Sequence, residues 1–377
     1  MSANDFINFL EHFEDLEDPR SERNQLHSMP EILLLTLCAA ICGAEGWQDV
    51  EDFGEAKIDF LKKFFPYKHG IPSDDTCRRF FRALDPEKFQ ELFRAWVQSF
   101  QLNLQDEIIA IDGKSSRHSF DHDKAMLHMV SAYATKTGLV LAQEKVSNKS
   151  NEITAIPKVL EWLDLKGNTV TIDAMGCQYK IADQIIEQEG NYIFGLKGNQ
   201  GVLNEAVRTY FEAKNVREFL DIKSCEDVNK GHGRLETRKC EVSHNVAWLQ
   251  EQHPKWKTVK SLIRIESIRD IKGKLSHETR YYISSLKETP EKMLESIRSH
   301  WGIENELHWV LDMSFGEDAC RIRKDNAPQI MSTIRHIAFN LLKLQKSKMK
   351  RQSVKRLRKM AGWDDQLLKS IISQKFS

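Results

Sequence analysis

Ile108-Ile-Ala-Ile-Asp-Gly-Lys114 is the stretch on which the fold turns. Four apolar residues, three of them β-branched, run into a single carboxylate, and such a run reads as a strand buried on both faces. A lone Asp at the end of a buried strand is costly unless a metal, a cation or hydrogen-bond donors meet it. Asp112 is therefore the first candidate for chemistry; a turn cap shared with Gly113 is the competing reading. The pattern recurs in Thr169-Val-Thr-Ile-Asp173, which is followed by Ala174-Met-Gly176.

Between and beyond these two stretches the pattern predicts strands at 107–112, 129–135, 139–146, 168–173 and 192–196. Lys136-Thr-Gly138 suits a hairpin turn, and helices are expected at 153–163 and 179–189. Three strands, then helix, strand, helix, strand is the order of an α/β fold, a ribonuclease-H-like mixed sheet with flanking helices. In that sheet the first and fourth strands are parallel neighbours, which brings Asp112 and Asp173 together at one edge. Two buried carboxylates side by side repel, and a cation removes the conflict. Hard oxygen donors favour Mg²⁺ or Mn²⁺. A two-metal site asks for a third acid. A long helix expected at 290–311 offers Glu304, one residue after core-facing Ile303, with Trp301 and His308 along the same face. Glu306, Asp312 and Asp318 compete for that place.

The rest of the chain frames this core. Residues 1–103 read as an all-α N-terminal domain: Pro30 opens an apolar helix, Ser73 and Asp85 are helix caps, and nothing there looks catalytic. Alternation without helices returns at 215–288, a β-rich insertion with its clearest strands at 239–242, 259–267 and 279–284. The division expected is 1–103, a catalytic core at 104–214 that resumes at 289–345 after the insertion, and a basic helical tail at 346–377.

Formal charge is balanced, 55 basic against 55 acidic residues, but unevenly placed: acids crowd 1–60 and bases crowd 321–360. That asymmetry hints at a polyanionic partner, although a solvated helix face would look the same. Seven cysteines, widely spaced and without a CxxC pair, argue against a disulfide framework or a zinc ribbon. The opening Met-Ser-Ala-Asn-Asp-Phe lacks a basic n-region, and the apolar run at 32–44 is too short to span a bilayer. A soluble, cytoplasmic protein is expected.

Longer strings carry a resemblance. Gly43-Ala-Glu-Gly-Trp47, Ala110-Ile-Asp-Gly-Lys114, Ser150-Asn-Glu-Ile-Thr-Ala-Ile-Pro157, Asp173-Ala-Met-Gly-Cys-Gln178, Lys197-Gly-Asn-Gln200, His232-Gly-Arg234, Arg280-Tyr-Tyr-Ile-Ser-Ser285 and His300-Trp-Gly-Ile-Glu-Asn305 follow one another through nearly the whole chain. In these the chain resembles the DDE transposases of bacterial insertion sequences, specifically the H-repeat-associated family. The resemblance implies that Asp112, Asp173 and Glu304 are the catalytic, metal-holding trio, with two Mg²⁺ ions for which Mn²⁺ can substitute. It implies double-stranded DNA as partner, both terminal repeats and target, and a homodimer in the synaptic complex. One departure stands out. Related transposases carry Tyr-x-x-Arg-x-x-x-Glu-x-x-x-x-x-x-Lys, whereas here Ile297, His300 and Leu311 fill the Tyr, Arg and Lys places, with Arg298 nearby.

Polyanion binding needs Lys and Arg for phosphate neutralisation. The candidates are Lys114 and Arg117 beyond the first Asp, Lys197 after the fifth strand, His232 and Arg234 in the insertion, Arg298 and His300 beside Glu304, and Arg321 and Arg323 beyond it. For each, a plain salt bridge is the rival reading. Three functions fit the chain: a DDE transposase that cleaves and joins DNA, a metal-dependent nuclease on the same fold without joining, and a catalytically silent DNA-binding remnant.

Overall fold

The computed structural model describes residues 8–21, 23, 25–100, 104–120, 126–147, 151–213, 221–231 and 234–374. His232 and the side chain of Arg234 lie outside the described residues. The chain opens with α1 (Asn8–His12), α2 (Met29–Cys42), α3 (Trp47–Ala56), α4 (Ile58–Leu61), α5 (Asp74–Ala83) and α6 (Pro86–Gln98). Their starts are written in the sequence. Ser28 and Glu31 form a reciprocal capping box on α2, Ser73 caps α5, and Asp85 caps α6 with Pro86 in its first turn. Apolar all round, α2 is buried along nearly its whole length. Among the described residues no single helix is long and apolar enough to cross a membrane.

Then come β1 (Ile108–Ser116), β2 (Leu127–Ala134), β3 (Leu139–Lys145), α7 (Glu152–Glu161), β4 (Thr169–Ile172), α8 (Tyr179–Glu187) and β5 (Asn191–Leu196). The order predicted from the sequence is the order found. β1, β2 and β3 are antiparallel, and β4 runs parallel to β1 and to β5. Gly138 takes a positive φ of 74° in the β2–β3 turn, which favours glycine.

β1 does not stop at Asp112. It continues to Ser116, with Gly113 opposite Val130 of β2, so Gly113 is a strand residue and the turn-cap alternative falls away. What ends at Ile111 is the pairing with β4, whose last partner is Ile172. Beyond that pair β1 has β2 on one side only, and the edge opens there.

After α9 (Gly201–Glu212) come β6 (Ile222–Gly231), β7 (Arg234–Ser243), α10 (Ala247–Gln252), β8 (Ser261–Ile271) and β9 (Lys274–Ser284). These strands form no separate sheet. β9 pairs antiparallel with β5, giving one nine-stranded sheet in the order β3-β2-β1-β4-β5-β9-β8-β7-β6. The far ends of its strands project beyond the core and are exposed on both faces, leaving even Val228, Leu235, Ile268, Ile271 and Leu275 in solvent. The inner ends bury Cys240, Val242, Ile263 and Ile265 against Met293, Leu294 and Ile297 of α11 (Pro290–His300).

The expected long helix is broken into α11, a π-helical segment at Ile303–His308, and α12 (Trp309–Phe315). The amide of Trp309 reaches back five residues to the Glu304 carbonyl. α13 (Ala327–Lys348), α14 (Val354–Trp363) and α15 (Asp365–Ile372) close the chain. α13 lies buried between α2, α6 and β3. The basic tail is not all solvated: Arg358 of α14 donates to the carbonyls of Ala40 and Ile41 at the end of α2.

Candidate active site

Successive β1 residues point to opposite faces. Asp112 and Lys114 face the segment after α11, and Gly113 faces the start of α7. Asp173 is the first residue after β4 and holds its own turn: its Oδ1 accepts from the amides of Met175 (2.9 Å) and Gly176 (3.3 Å). Asn199 and Gln200, between β5 and α9, donate to the carbonyls of Ala174 and Cys177 and pin that loop. Asp112, Asp173 and Glu304 line one cleft of about 430 Å³, together with Lys197, Arg280 and His300.

The Asp112 and Glu304 carboxyls are raised by burial first, with neighbouring acids adding to the rise. Burial pushes the Asp112 carboxyl up to about 7, Glu152 adds to the rise, the Gly113 amide opposes it, and Asp173 and Glu304 add further. Burial also raises the Glu304 carboxyl, against the pull of the Arg280 guanidinium and with help from Asp173. Glu304 sits on the π-helical segment, where the extra residue per turn re-aims side chains relative to a regular helix. The competing acids are engaged elsewhere. Glu306 pairs with Lys343 (2.7 Å) and accepts from the Tyr133 hydroxyl (3.1 Å), while Asp312 and Asp318 hold Lys114.

Three residues at the site were not foreseen. The Glu152 carboxylate occupies the space that a Cβ on Gly113 would need. It is fixed by His128 Nε2 at 2.8 Å, whose Nδ1 lies 2.5 Å from Ser115 Oγ. His308 Nδ1 is 3.6 Å from Asp112 Oδ2, and its buried Nε2 has no partner. Burial, Lys114 and His300 lower its pKa to about 3, so the imidazole is neutral. Arg280 of β9 lies with its guanidinium 4.8 Å from the centre of the Trp301 ring, beside Glu304. Glu152 and Arg280 sit in strings that carried the resemblance, but spacing alone does not bring either toward Asp112.

The expected DNA contacts are scattered. Lys197 is exposed and, with His300, lines the cleft. His300 bonds to Thr171 Oγ1 (3.1 Å), and burial lowers its pKa to about 4 against the pull of Asp173, so it brings no charge at neutral pH. The Lys114 side chain is only 11% exposed and is held by Asp312 (2.6 Å), Asp318 (3.2 Å) and Glu317 (3.8 Å). For Lys114 the rival ion-pair reading describes the structure. Arg117 is 79% exposed, at 3.4 Å from Asp318. Arg298 is exposed and pairs with Asp227 (2.7 Å). Arg321 is exposed; Arg323 donates to the His118 carbonyl and stacks near Phe120.

The donor set suits a hard divalent cation: three carboxylates line one cleft, and hard oxygen donors are what such a cation takes. Among the described residues no three His, Cys, Asp or Glu side chains converge into a ready ligand cage. Mg²⁺ needs none, since one or two carboxylates, waters and substrate phosphates suffice.

Residues 103–341 match the model of the transposase DDE domain, and residues 10–97 match that of its associated domain, DDE_Tnp_1-associated. The chain is 41% identical over 370 residues to the "H repeat-associated putative transposase YhhI" of Escherichia coli K12, covering 97% of each. It is 42% identical over 340 residues to the "Putative transposase YncI" of Escherichia coli O157:H7, covering 89% of this chain and 87% of that one. A solved structure, a piggyBac transposase synaptic complex with hairpin DNA, is similar at a TM-score of 0.45 and 11% identity, over 98% of this chain and 78% of that one. The chain belongs to the family of transposases that carry the DDE domain.

Proposed function

We propose that the protein cleaves DNA at the ends of an insertion sequence and joins the freed ends to target DNA, with Asp112, Asp173 and Glu304 as the catalytic trio. The observation that carries this reading is that three acids, from β1, the turn after β4 and the π-helical segment, line one cleft, where burial first and the neighbouring acids second hold the Asp112 carboxyl up. These carboxylates would hold two Mg²⁺ ions, or Mn²⁺ in their place, which supply Lewis acidity to activate a water and later a 3′-hydroxyl for attack on a phosphodiester.

The chain's own part is positioning. β1, continuous through Asp112 and paired to β2 beyond it, fixes one carboxylate to the core. The amides of Met175 and Gly176 fix the second, and the π-helical segment presents the third. The carboxylates act as ligands, and Asp112 gives up a proton near neutral pH as a cation binds. Lys197 at the cleft rim is placed to meet a phosphate. Double-stranded DNA, both terminal repeats and target, is the substrate, two ends being synapsed by a homodimer in the cytoplasm at the nucleoid. In this reading 104–214 and 289–345 make the catalytic core, with 1–103, the insertion at 215–288 and the tail at 346–377 as its attachments.

Purified protein incubated with Mg²⁺ and labelled duplexes from the DNA flanking its gene tests this. Joined products are expected. Cleavage without joining supports a nuclease instead, and a salt-sensitive mobility shift without cleavage supports a silent DNA-binding protein.

A further inference from the structure

The residues around Glu304 bring no cation to the cleft. Ile297 and Leu311 are buried apolar side chains, and His300 is neutral. Positive charge comes from Arg238, Arg269 and Arg280 of the insertion sheet and from Arg298 of α11. Registered pairs place Asp227, Arg238, Ser267 and Glu278 in one row across β6 to β9, with Cys240, Ile265 and Arg280 in a row two residues inward and Glu236 and Arg269 in a row two outward. Residues two apart on a strand share a face, and this is the face that α11 covers at its inner end.

There a second cavity of about 420 Å³ is lined by Arg238, Arg269, Arg280, Arg298, Trp301 and Glu304. Arg280, Trp301 and Glu304 also line the carboxylate cleft, so the two cavities form one groove.

The guanidinium groups in this groove share their acids unevenly. Arg238 and Arg269 share the single buried carboxylate of Glu236, each at 2.7 Å. Arg280 and Arg298 have one acid each, Glu278 and Asp227. Arg238 is 17% exposed on its side chain, and its buried Nη1 has no partner. Burial lowers its pKa; Glu236 and Asp227 counter this, while Arg298 and Arg269 lower it further. Four planar forks along one groove suit the paired oxygens of a phosphate chain.

We propose that this groove holds the phosphodiester backbone of the DNA strand leaving the cleavage point, with Arg280, braced on Trp301, at the phosphate nearest Glu304 and Arg238, Arg269 and Arg298 beyond it. The insertion sheet, together with Arg298, thereby supplies the charge that Ile297, His300 and Leu311 do not. The assignment rests on the transposase reading above and adds the strand's path.

Because backbone contacts are independent of sequence, the test uses the full chain in EDTA with a fluorescein-labelled 30-base-pair duplex of arbitrary sequence, titrated across KCl concentrations. Arg269→Ala/Arg298→Ala leaves Glu236 its Arg238 partner. It should reduce the slope of log K against log[salt] by about two and weaken binding on the order of 50-fold at 0.1 M KCl. Arg280→Lys keeps the charge but loses the fork and the stacking, and should weaken binding almost as much as Arg280→Ala. Lys166→Ala, at the opposite end of β4, should change neither slope nor affinity.

An unchanged slope in the double variant overturns the proposal, whether or not affinity falls, because phosphate contacts must appear in the salt dependence. If wild type still cleaves and joins DNA in Mg²⁺ while the double variant keeps its slope, the strand path is wrong and the transposase reading survives. If wild type binds no duplex at low salt, both fall.

Discussion

Asp112→Asn should abolish strand cleavage and, in metal-free buffer, make the folded protein more stable at alkaline pH. Burial and the charges of Glu152, Asp173 and Glu304 hold the folded Asp112 carboxyl at about 7, against an ordinary 3.8. The folded state thus keeps the proton more tightly than the unfolded chain does. The resulting penalty is absent below pH 4, grows as pH rises towards 7 and is complete above it, where it reaches about 4 kcal/mol. Asparagine has the same shape and no charge, so it escapes the penalty. Thermal unfolding in EDTA should show wild type falling behind Asp112→Asn between pH 5 and 8, by on the order of 5 °C at the upper end. Adding Mg²⁺ at pH 8 should raise wild type and leave the variant nearly unmoved, because a cation that binds the folded state stabilises it by mass action. A melting difference that stays constant from pH 5 to 8 would refute the reasoning, since it would mean that the neighbouring acids do not act on Asp112.

Other perturbations follow from the same geometry. Gly113→Ala puts a methyl group into the Glu152 carboxylate; denaturant unfolding should show a loss of about 1–3 kcal/mol. Glu152→Ala in the same chain should return part of that loss, and additivity of the two changes would argue against the contact. Lys114→Met removes the cation that Asp312, Asp318 and the buried Glu317 share, leaving Glu317 to Arg335 and Ser332, and should cost about 3 kcal/mol, read by the same unfolding curves; a loss below 1 kcal/mol would show the ion-pair cluster to be dispensable. Glu306→Gln weakens the contacts with Lys343 and the Tyr133 hydroxyl, away from the cleft, and should keep strand joining within about two-fold of wild type, whereas Glu304→Gln should lose it. Equal loss in both variants would move the third acid away from Glu304.

Much of this was readable because strands and caps are local. Ile108 to Ile111 and Thr169 to Ile172 announce buried strands by their own side chains, and the element order then forces β1 and β4 together. Asp112 and Asp173 became neighbours on that ground alone. What escaped depends on distant partners. β1 runs past Asp112 because β2 continues to pair with Gly113 and Lys114, two residues whose own preference says turn. β6 is polar on both faces and projects from the core, so no alternation marks it. A 3.6-residue period cannot register the π-helical segment at Glu304. Lys114 looked like a phosphate contact because its three acids lie about 200 residues away in sequence. Glu152 and Arg280 were visible as parts of the strings that carry the resemblance, yet only the fold brings Glu152 to Asp112 and Arg280 to Glu304.

The most direct test of the central claim exchanges one oxygen donor for sulfur. In Asp173→Cys the thiolate is a poor partner for Mg²⁺ and a better one for softer divalent ions. Strand cleavage and joining of a labelled terminal duplex should vanish in Mg²⁺ and return in part with Mn²⁺ or Zn²⁺, at a level above that of Asp173→Ala under the same ions. Undiminished joining by Asp173→Cys in Mg²⁺ would contradict the account, because Asp173 would then hold no metal at the reacting phosphate.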